Sequence, residues 1–225
     1  MLSPLLLNRI YMNENTLPVA REGLPFIALF AFVTFIFALL DWGFLAFIAL
    51  LLTFFVVYFF RDPDRHCPAD NGAVIAPADG KVVFVDKVME ERFFKEEVLK
   101  VSIFMSVFNV HVNRAPCSGK VLDMYYNKGE FLNASLDKAS LQNEQSGIFM
   151  QTETGHKILF VQIAGLIARR IISYPKIGDI LKRASRYGLI RFGSRVDIYL
   201  PVGTEVNVKL GDLTVAGETI IGNLQ

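Results

Sequence analysis

The sequence predicts a mainly β fold, a β-rich barrel or sandwich with α+β details, behind an N-terminal hydrophobic helical hairpin. Three observations predict it. Two uncharged apolar runs, 24–40 and 44–60, are parted only by Asp41-Trp42-Gly43. Past Arg61 the chain changes to short β-branched and aromatic runs, many of them separated by Gly, Pro, Asn or Asp, which is how closely spaced strands read. The 225 residues are 52% hydrophobic with a mean hydropathy of +0.39, more apolar than an ordinary soluble domain.

Residues 1–23 are a mixed segment, expected to form a short helix or a loose stretch. They lack an early basic region and a small-residue cleavage site, so a removed signal peptide is not expected. The 24–60 hairpin follows. Each of its runs has 17 residues, at the lower limit of roughly 17–25 for a spanning helix, and is apolar all round rather than on one face. It crosses a membrane twice, or dips in and returns; the alternative is a helical hairpin buried in a soluble core. Arg9, Arg21, Arg61 and Arg65 lie on its flanks and no Lys or Arg lies in its turn, which places both flanks in the cytoplasm.

Arg61-Asp62-Pro63-Asp64-Arg65 marks the boundary of a β-rich domain over 61–225. Strands are expected at 82–85, 99–105, 107–112, 121–126, 158–163, 196–200 and 206–210. Residues 90–98 read as a short helix or a hairpin tip, and 132–141 as a loop. A strand leading into a helix is expected over 163–172, and a short basic helix or loop over 180–186. Ala76-Pro77-Ala78-Asp79-Gly80-Lys81-Val82 is echoed 39 residues later by Ala115-Pro116-Cys117-Ser118-Gly119-Lys120-Val121, with five of seven positions shared. A Pro-x-x-Gly turn launching a Lys-Val strand is a reusable entry. The turn does not demand an acid, so Asp79, replaced by Ser118 in the second copy, is available for another task.

A formal net charge of +1 offers no basic excess for a phosphate backbone, which argues against nucleic acid as a partner. Cys67 and Cys117 have no metal-ligand spacing, and His66, His111 and His156 lie far apart, so no metal is expected.

Three residues could carry chemistry. Ser194 follows Gly193 between apolar residues and leads straight into a strand-like run. A serine there is a turn residue, a nucleophile, or the point where a chain cuts itself. His111 alternates with Asn109 and Asn113 along an extended segment, a polar stripe of neutral amides that reads as the wall of a site. Asp79 supplies the carboxylate. Hydroxyl, base and orienting carboxylate are the parts of a nucleophilic triad, and chain order does not matter. The absence of G-x-S-x-G speaks against an ordinary serine hydrolase.

The chain resembles the short, membrane-associated class of phosphatidylserine decarboxylase proenzymes. The resemblance rests on Phe59-Phe60-Arg61-Asp62-Pro63, Pro77-Ala78-Asp79-Gly80, Ile103-Phe104-Met105-Ser106, Asn109-Val110-His111-Val112-Asn113-Arg114, Gln162-Ile163-Ala164-Gly165, Ala168-Arg169-Arg170-Ile171 and Phe192-Gly193-Ser194-Arg195-Val196-Asp197, in order after residue 58. It implies autocatalytic cleavage between Gly193 and Ser194 into a β chain, 1–193, and an α chain, 194–225. Ser194 would become a covalent pyruvoyl group that forms a Schiff base with phosphatidylserine and yields phosphatidylethanolamine. His111, oriented by Asp79, would activate Ser194, and Arg169 and Arg170 are candidates for the lipid phosphate. Longer members carry a second His where this chain has Phe108, so no role for a second imidazole carries over. The implied setting is the cell membrane, with the domain on the cytoplasmic face, the bilayer and the two chains of one precursor as partners, and a homo-oligomer compatible with all of this. The alternatives are a membrane-tethered β-rich binding or adaptor module and a membrane serine hydrolase. Turns at 202–206 and 211–218 look like those of lipoyl-type barrels, but no carrier lysine accompanies them.

Overall fold

The computed structural model describes residues 10–11, 17–68, 72–129, 143–165, 170–191 and 193–225. The chain divides into two compact units, 15–64 and a larger one made of 1–14 and 65–225.

The smaller unit is the apolar hairpin. A turn of 3-10 helix at Arg21–Gly23 runs into α1 (Leu24–Leu39), with Pro25 in the first turn, where its missing N–H leaves no helical bond unmade. Asp41 turns the chain in the left-handed region, φ 58°, and α2 (Gly43–Phe59) returns. Thr34 and Thr53 meet across the pair, Oγ1 to Oγ1 at 3.2 Å, while each hydroxyl also bonds the carbonyl four residues back. The base is closed by backbone bonds from Ala20 N to Phe60 O and from Asp62 N to Pro18 O, both 2.8 Å. Elsewhere the surface is bare. No residue of α1 is buried, and of α2 only Ala49 and Phe59 are, while Phe32, Phe35, Phe44, Phe47 and Phe54 are each more than half exposed. Exposed apolar surface on this scale marks a surface for interaction. Arg21–Leu39, 19 residues with a hydropathy of 2.1, is long and apolar enough to cross a membrane, and α2, at 17 residues, is shorter.

The larger unit is built of strands: β1 (Ile10–Tyr11), β2 (Ala73–Ile75), β3 (Gly80–Glu90), β4 (Glu96–Met105), β5 (Val112–Arg114), β6 (Gly119–Asn127), β7 (Gln145–Thr152), β8 (Lys157–Ala164), β9 (Ile171–Ser173), β10 (Ile180–Leu181), β11 (Arg186–Ile190), β12 (Ser194–Leu200), β13 (Glu205–Val206), β14 (Leu213–Thr214) and β15 (Ile220–Asn223). Nine form one sheet in the order β1-β10-β6-β7-β8-β12-β4-β3-β14. The sets β5-β11-β9 and β13-β15-β2 form two smaller sheets. On one face of the large sheet Val196, Ile198 and Leu200 of β12 join Val101, Ile103, Ile148 and Phe160 in the main core, where Phe160 meets the Tyr187 ring edge-on at 4.8 Å. The other face carries a second cluster of Phe149, Leu159, Val161 and Ile163, with Phe93 stacked on Phe149. Successive side chains of one strand thus enter two different cores.

Several local expectations are corrected. The run 107–112 is not a strand: Asn109 Oδ1 accepts from both Ser106 N and Ser106 Oγ at 2.8 Å and folds the segment into a turn, and β5 starts only at Val112. Residues 207–210 likewise leave the strand after Val206, drawn into a turn by the Lys209 N to Asp212 Oδ2 bond and by Gly211 at φ 94°. The 90–98 segment is a hairpin tip, in which the Glu90 carboxylate accepts the N–H groups of Arg92, Phe93 and Phe94. Most of 180–186 is a turn after the two-residue β10. The expected loop at 132–141 and the helix expected within 163–172 fall largely outside the described residues, although Ile171–Ser173 is a strand.

Both copies of the repeated turn work alike. Gly80 and Gly119 open β3 and β6 hard against a neighbouring strand; a Cβ would lie 2.2 Å from Phe104 O in the first and 2.3 Å from Gln151 O in the second. The variable position before each glycine ties down a distant N–H, with Asp79 Oδ1 accepting from Ala216 N at 2.8 Å and Ser118 Oγ from Arg183 N at 3.0 Å.

Cys67 is exposed and Cys117 buried, and burial pushes the Cys117 thiol up to about 12 against the pull of Arg183. Iodoacetamide at pH 8 therefore modifies Cys67 in the folded chain and spares Cys117 until denaturant is added, as peptide mass mapping will show; equal labelling before unfolding would contradict this packing.

Candidate active site

Ser194 is the first residue of β12, opposed by Met105 of β4 on one side and Ala164 of β8 on the other. It is fully buried. Its hydroxyl faces the Met105 sulfur, Oγ to Sδ 3.4 Å; a thioether is a weak acceptor, so the proton stays available to a stronger base. The preceding Gly193 sits at φ 45°, in the left-handed region that strains any side chain. No described atom lies within 4 Å of where its Cβ would be, so the backbone angle and not crowding calls for glycine.

The turn before β5 carries the base. His111 is fully buried, and its Nδ1 lies 2.9 Å from the Asn109 carbonyl oxygen. A carbonyl only accepts, so Nδ1 holds the proton and Nε2 of the neutral ring is the basic nitrogen. The His111 carbonyl accepts from Ile190 N at 3.3 Å, which ties the residue to the end of β11, just ahead of the 193–194 peptide. Asn113 continues the polar line inward. Its Oδ1 accepts from Gln162 Nε2 at 2.8 Å, and its Nδ2 reaches the same Met105 sulfur at 3.6 Å. Gly188 makes room for this pair, since a Cβ there would lie 2.9 Å from Gln162 Nε2. His111 and Asn113 of the expected stripe are fully buried, and Val110 and Val112 beside them are buried as well, so neither side of this segment is a solvent face.

Asp79 is placed differently from the sequence expectation. Its carboxylate is held by Arg65, with Nη2 at 3.0 and 2.8 Å from the two oxygens, and by the Ala216 N–H. Among the described residues none of its bonds goes to His111; the Asn109 carbonyl takes the place beside Nδ1. Asp79 meets the site through its turn, where Pro77 O accepts from Arg114 N at 2.9 Å and from Asn113 Nδ2 at 3.5 Å. Arg170 is exposed, and its carbonyl accepts from Arg191 N at 3.3 Å; Arg169 lies outside the described residues. Among the described residues no group of three or more His, Cys, Asp or Glu could hold a metal ion.

The outward side chains of β12 form an ionic staple in the second core. Asp197, fully buried, pairs with Lys100 Nζ at 3.0 Å, with Arg195 Nη2 at 3.0 Å, and with Arg195 Nε at 2.7 Å, the last an ion pair without hydrogen-bond alignment. Lys100 also lies over the Tyr199 and Phe84 rings. Burial, reinforced by the Asp197 charge, raises the Tyr199 phenol and pushes Tyr125 up to about 12, which keeps both neutral.

A buried hydroxyl thus heads β12, a buried imidazole of fixed tautomer is bonded through its backbone to the end of β11, and the glycine before the hydroxyl sits in the left-handed region. A sequence profile described as phosphatidylserine decarboxylase matches residues 52–222. The chain belongs to the phosphatidylserine decarboxylase family. Curated proteins similar to it are named phosphatidylserine decarboxylase proenzyme. One from Syntrophotalea carbinolica is 60% identical over 214 residues, covering 95% of this chain and all of that protein. Another, from Geotalea uraniireducens, is 54% identical over 212 residues, 94% of this chain and 99% of the relative. A third, from Desulfotalea psychrophila, is 50% identical, covering 95% of this chain and all of the relative.

Sequence reasoning assigned no role to Arg65, Met105, Gln162 or Asp197 of this family member. Gln162 carried a signal, an amide inside the otherwise apolar run 158–163, whereas Met105 is indistinguishable from core and Arg65 from a boundary charge. Asp197→Ala leaves two cations without their buried carboxylate and is expected to cost about 3–5 kcal/mol. A thermal unfolding midpoint equal to that of the unsubstituted chain would show that the staple does not matter.

Proposed function

We propose that this chain is a self-processing phosphatidylserine decarboxylase whose precursor cuts itself between Gly193 and Ser194. The observation that carries the reading is the burial of Ser194 at the head of a central strand, directly after a glycine in the left-handed region. His111 Nε2 takes the proton of Ser194 Oγ, and the alkoxide attacks the Gly193 carbonyl. The C–N bond gives way to an ester. Loss of the carboxylate from Cβ leaves dehydroalanine, and water converts this to a ketone with release of ammonia. The products are a β chain, 1–193, and an α chain of 32 residues, 194–225.

Asp79 belongs to the same machinery as a positioning residue. With Arg65 and Ala216 it fixes the 77–80 turn, and Pro77 of that turn holds Asn113 and Arg114 downstream of His111. The surroundings fit a pyruvoyl group at position 194: the residue is buried, and β12 is paired on both sides, so the new chain end stays in place after cutting. When formed, that ketone supplies the electron sink for loss of carbon dioxide. After cutting, His111 becomes free to hold or move a proton for the substrate. Arg170, with Arg169 beside it in sequence, is proposed for the lipid phosphate. The hairpin, flanked by arginines, holds the enzyme at the cytoplasmic face of the membrane and keeps it close to a lipid that rarely leaves the bilayer.

Intact-mass analysis of purified protein is expected to find two chains, and a single uncut chain for Ser194→Ala. His111→Ala should slow cutting by about 100-fold or more. Normal cutting in either variant would remove the assigned role.

A further inference from the structure

Beyond the nucleophile, the base and the phosphate, the large sheet places one more charged group toward the site. Ser194, Ala164 and Glu144 lie in a row across three strands. Ser194 pairs with Ala164, and Ala164 N donates to Glu144 O at 3.0 Å while Asn143 Nδ2 donates to Ala164 O at 2.7 Å. Glu144 stands two residues before Ser146, whose partner Gln162 stands two before Ala164, so side-chain alternation puts Glu144 on the face that carries Ser194. Ala164 stands between them in that row. Two strand spacings separate their backbones by about 10 Å.

Glu144 is only 5% exposed. Its Oε1 accepts from the Tyr126 hydroxyl at 2.8 Å and from Ile171 N at 3.4 Å. That Tyr126 bond raises the phenol, while the charge of the exposed Arg170 pulls it the other way. A cavity of about 400 Å³ is bordered by Tyr126, Ser146, Ile171 and Ser173, and the Glu144 carboxylate bonds two of these residues, Tyr126 and Ile171. Such a volume suits a polar headgroup. A buried carboxylate is costly unless it is paired, and it would have an evident use if the ligand brought a cation. Of the other acids, Asp197 of β12 faces the opposite core, and Asp79 is held by Arg65.

We propose that Glu144 binds the ammonium group of the substrate and aims its nitrogen at the carbon of residue 194. The carboxylate lies inward and Arg170 outward, so the two charges match the ammonium and phosphate of a phosphoserine headgroup. This rests on the reading of the chain as a phosphatidylserine decarboxylase, but its test does not need a working enzyme.

The Ser194→Ala full chain in detergent micelles, which has no ketone, is titrated calorimetrically with dihexanoyl phosphatidylserine and with the same lipid N-acetylated. The amine form should bind about tenfold or more tightly than the acetylated form, the usual strength of a charge-assisted contact. Glu144→Gln in that background should abolish this preference. With Ser194 restored, Glu144→Gln should still cut itself, which reports an intact fold, and should show its defect in KM more than in kcat. Equal binding of the two lipids by the Ser194→Ala chain with Glu144 intact would overturn the proposal, whether or not the Gln variant folds. Retention of the preference by a folded Glu144→Gln chain would overturn it too. Failure of the Glu144 chain itself to cut would instead count against the functional reading.

Discussion

The pairing of β12 on both edges is the constraint on which the rest of the structure depends. Ser194 to Leu200 runs against Met105 to Leu99 on one side, and Ser194 to Tyr199 against Ala164 to Leu159 on the other. A strand in the middle of a sheet has its backbone groups committed in both directions, and it cannot move without breaking two ladders. On the proposed reading, the peptide before Ser194 would be cut at the edge of a strand fixed on both sides, and the fragment that begins at Ser194 would stay in the sheet. Further ties, β14 on β3 and β15 on β2, hold the remainder of that fragment.

Alternation along the same strand separates two jobs. Ser194, Val196 and Ile198 enter the main core, where the hydroxyl meets Met105 and, through it, the Asn113 and Gln162 amides. Arg195, Asp197 and Tyr199 enter the second core, where charge is neutralised locally around Asp197. The Asp197 ion pairs thus lie on the opposite face of β12 from Ser194. The imidazole is oriented by a backbone carbonyl, and the acid in its neighbourhood, Asp79, is spent on Arg65 and on the 216 backbone. A neutral carbonyl fixes the tautomer without adding negative charge beside the ring.

The hairpin was legible because an uninterrupted apolar run is a one-dimensional signal, and its interruption at Asp41 is where the helices turn. The long strands were legible at 82–85, 99–105, 121–126, 158–163 and 196–200 for a related reason: β-branched and aromatic residues crowd there. Strands β9 and β11 were not, because they are short and owe their form to pairing with each other and with β5. The expected strand at 107–112 failed where a single side chain, Asn109, offered the backbone a closer acceptor than any neighbouring strand.

At the site, the identity of Ser194, His111 and Asp79 as chemically notable residues came from residue type and local setting, which a sequence states directly. Their relations did not. That Met105 lies under Ser194 depends on a contact between segments 89 residues apart, and that Asp79 turns to Arg65 and Asn109 presents its carbonyl to the imidazole depends on turn geometry that residue type does not state. By itself, then, the sequence determined the apolar hairpin, the strand-rich domain after it and the Gly-Ser step, since these follow from composition, period and local turn chemistry. Only the tertiary structure decided which groups face one another, because strand register and the order β8-β12-β4 set which side chains share a face, and no local propensity encodes that order.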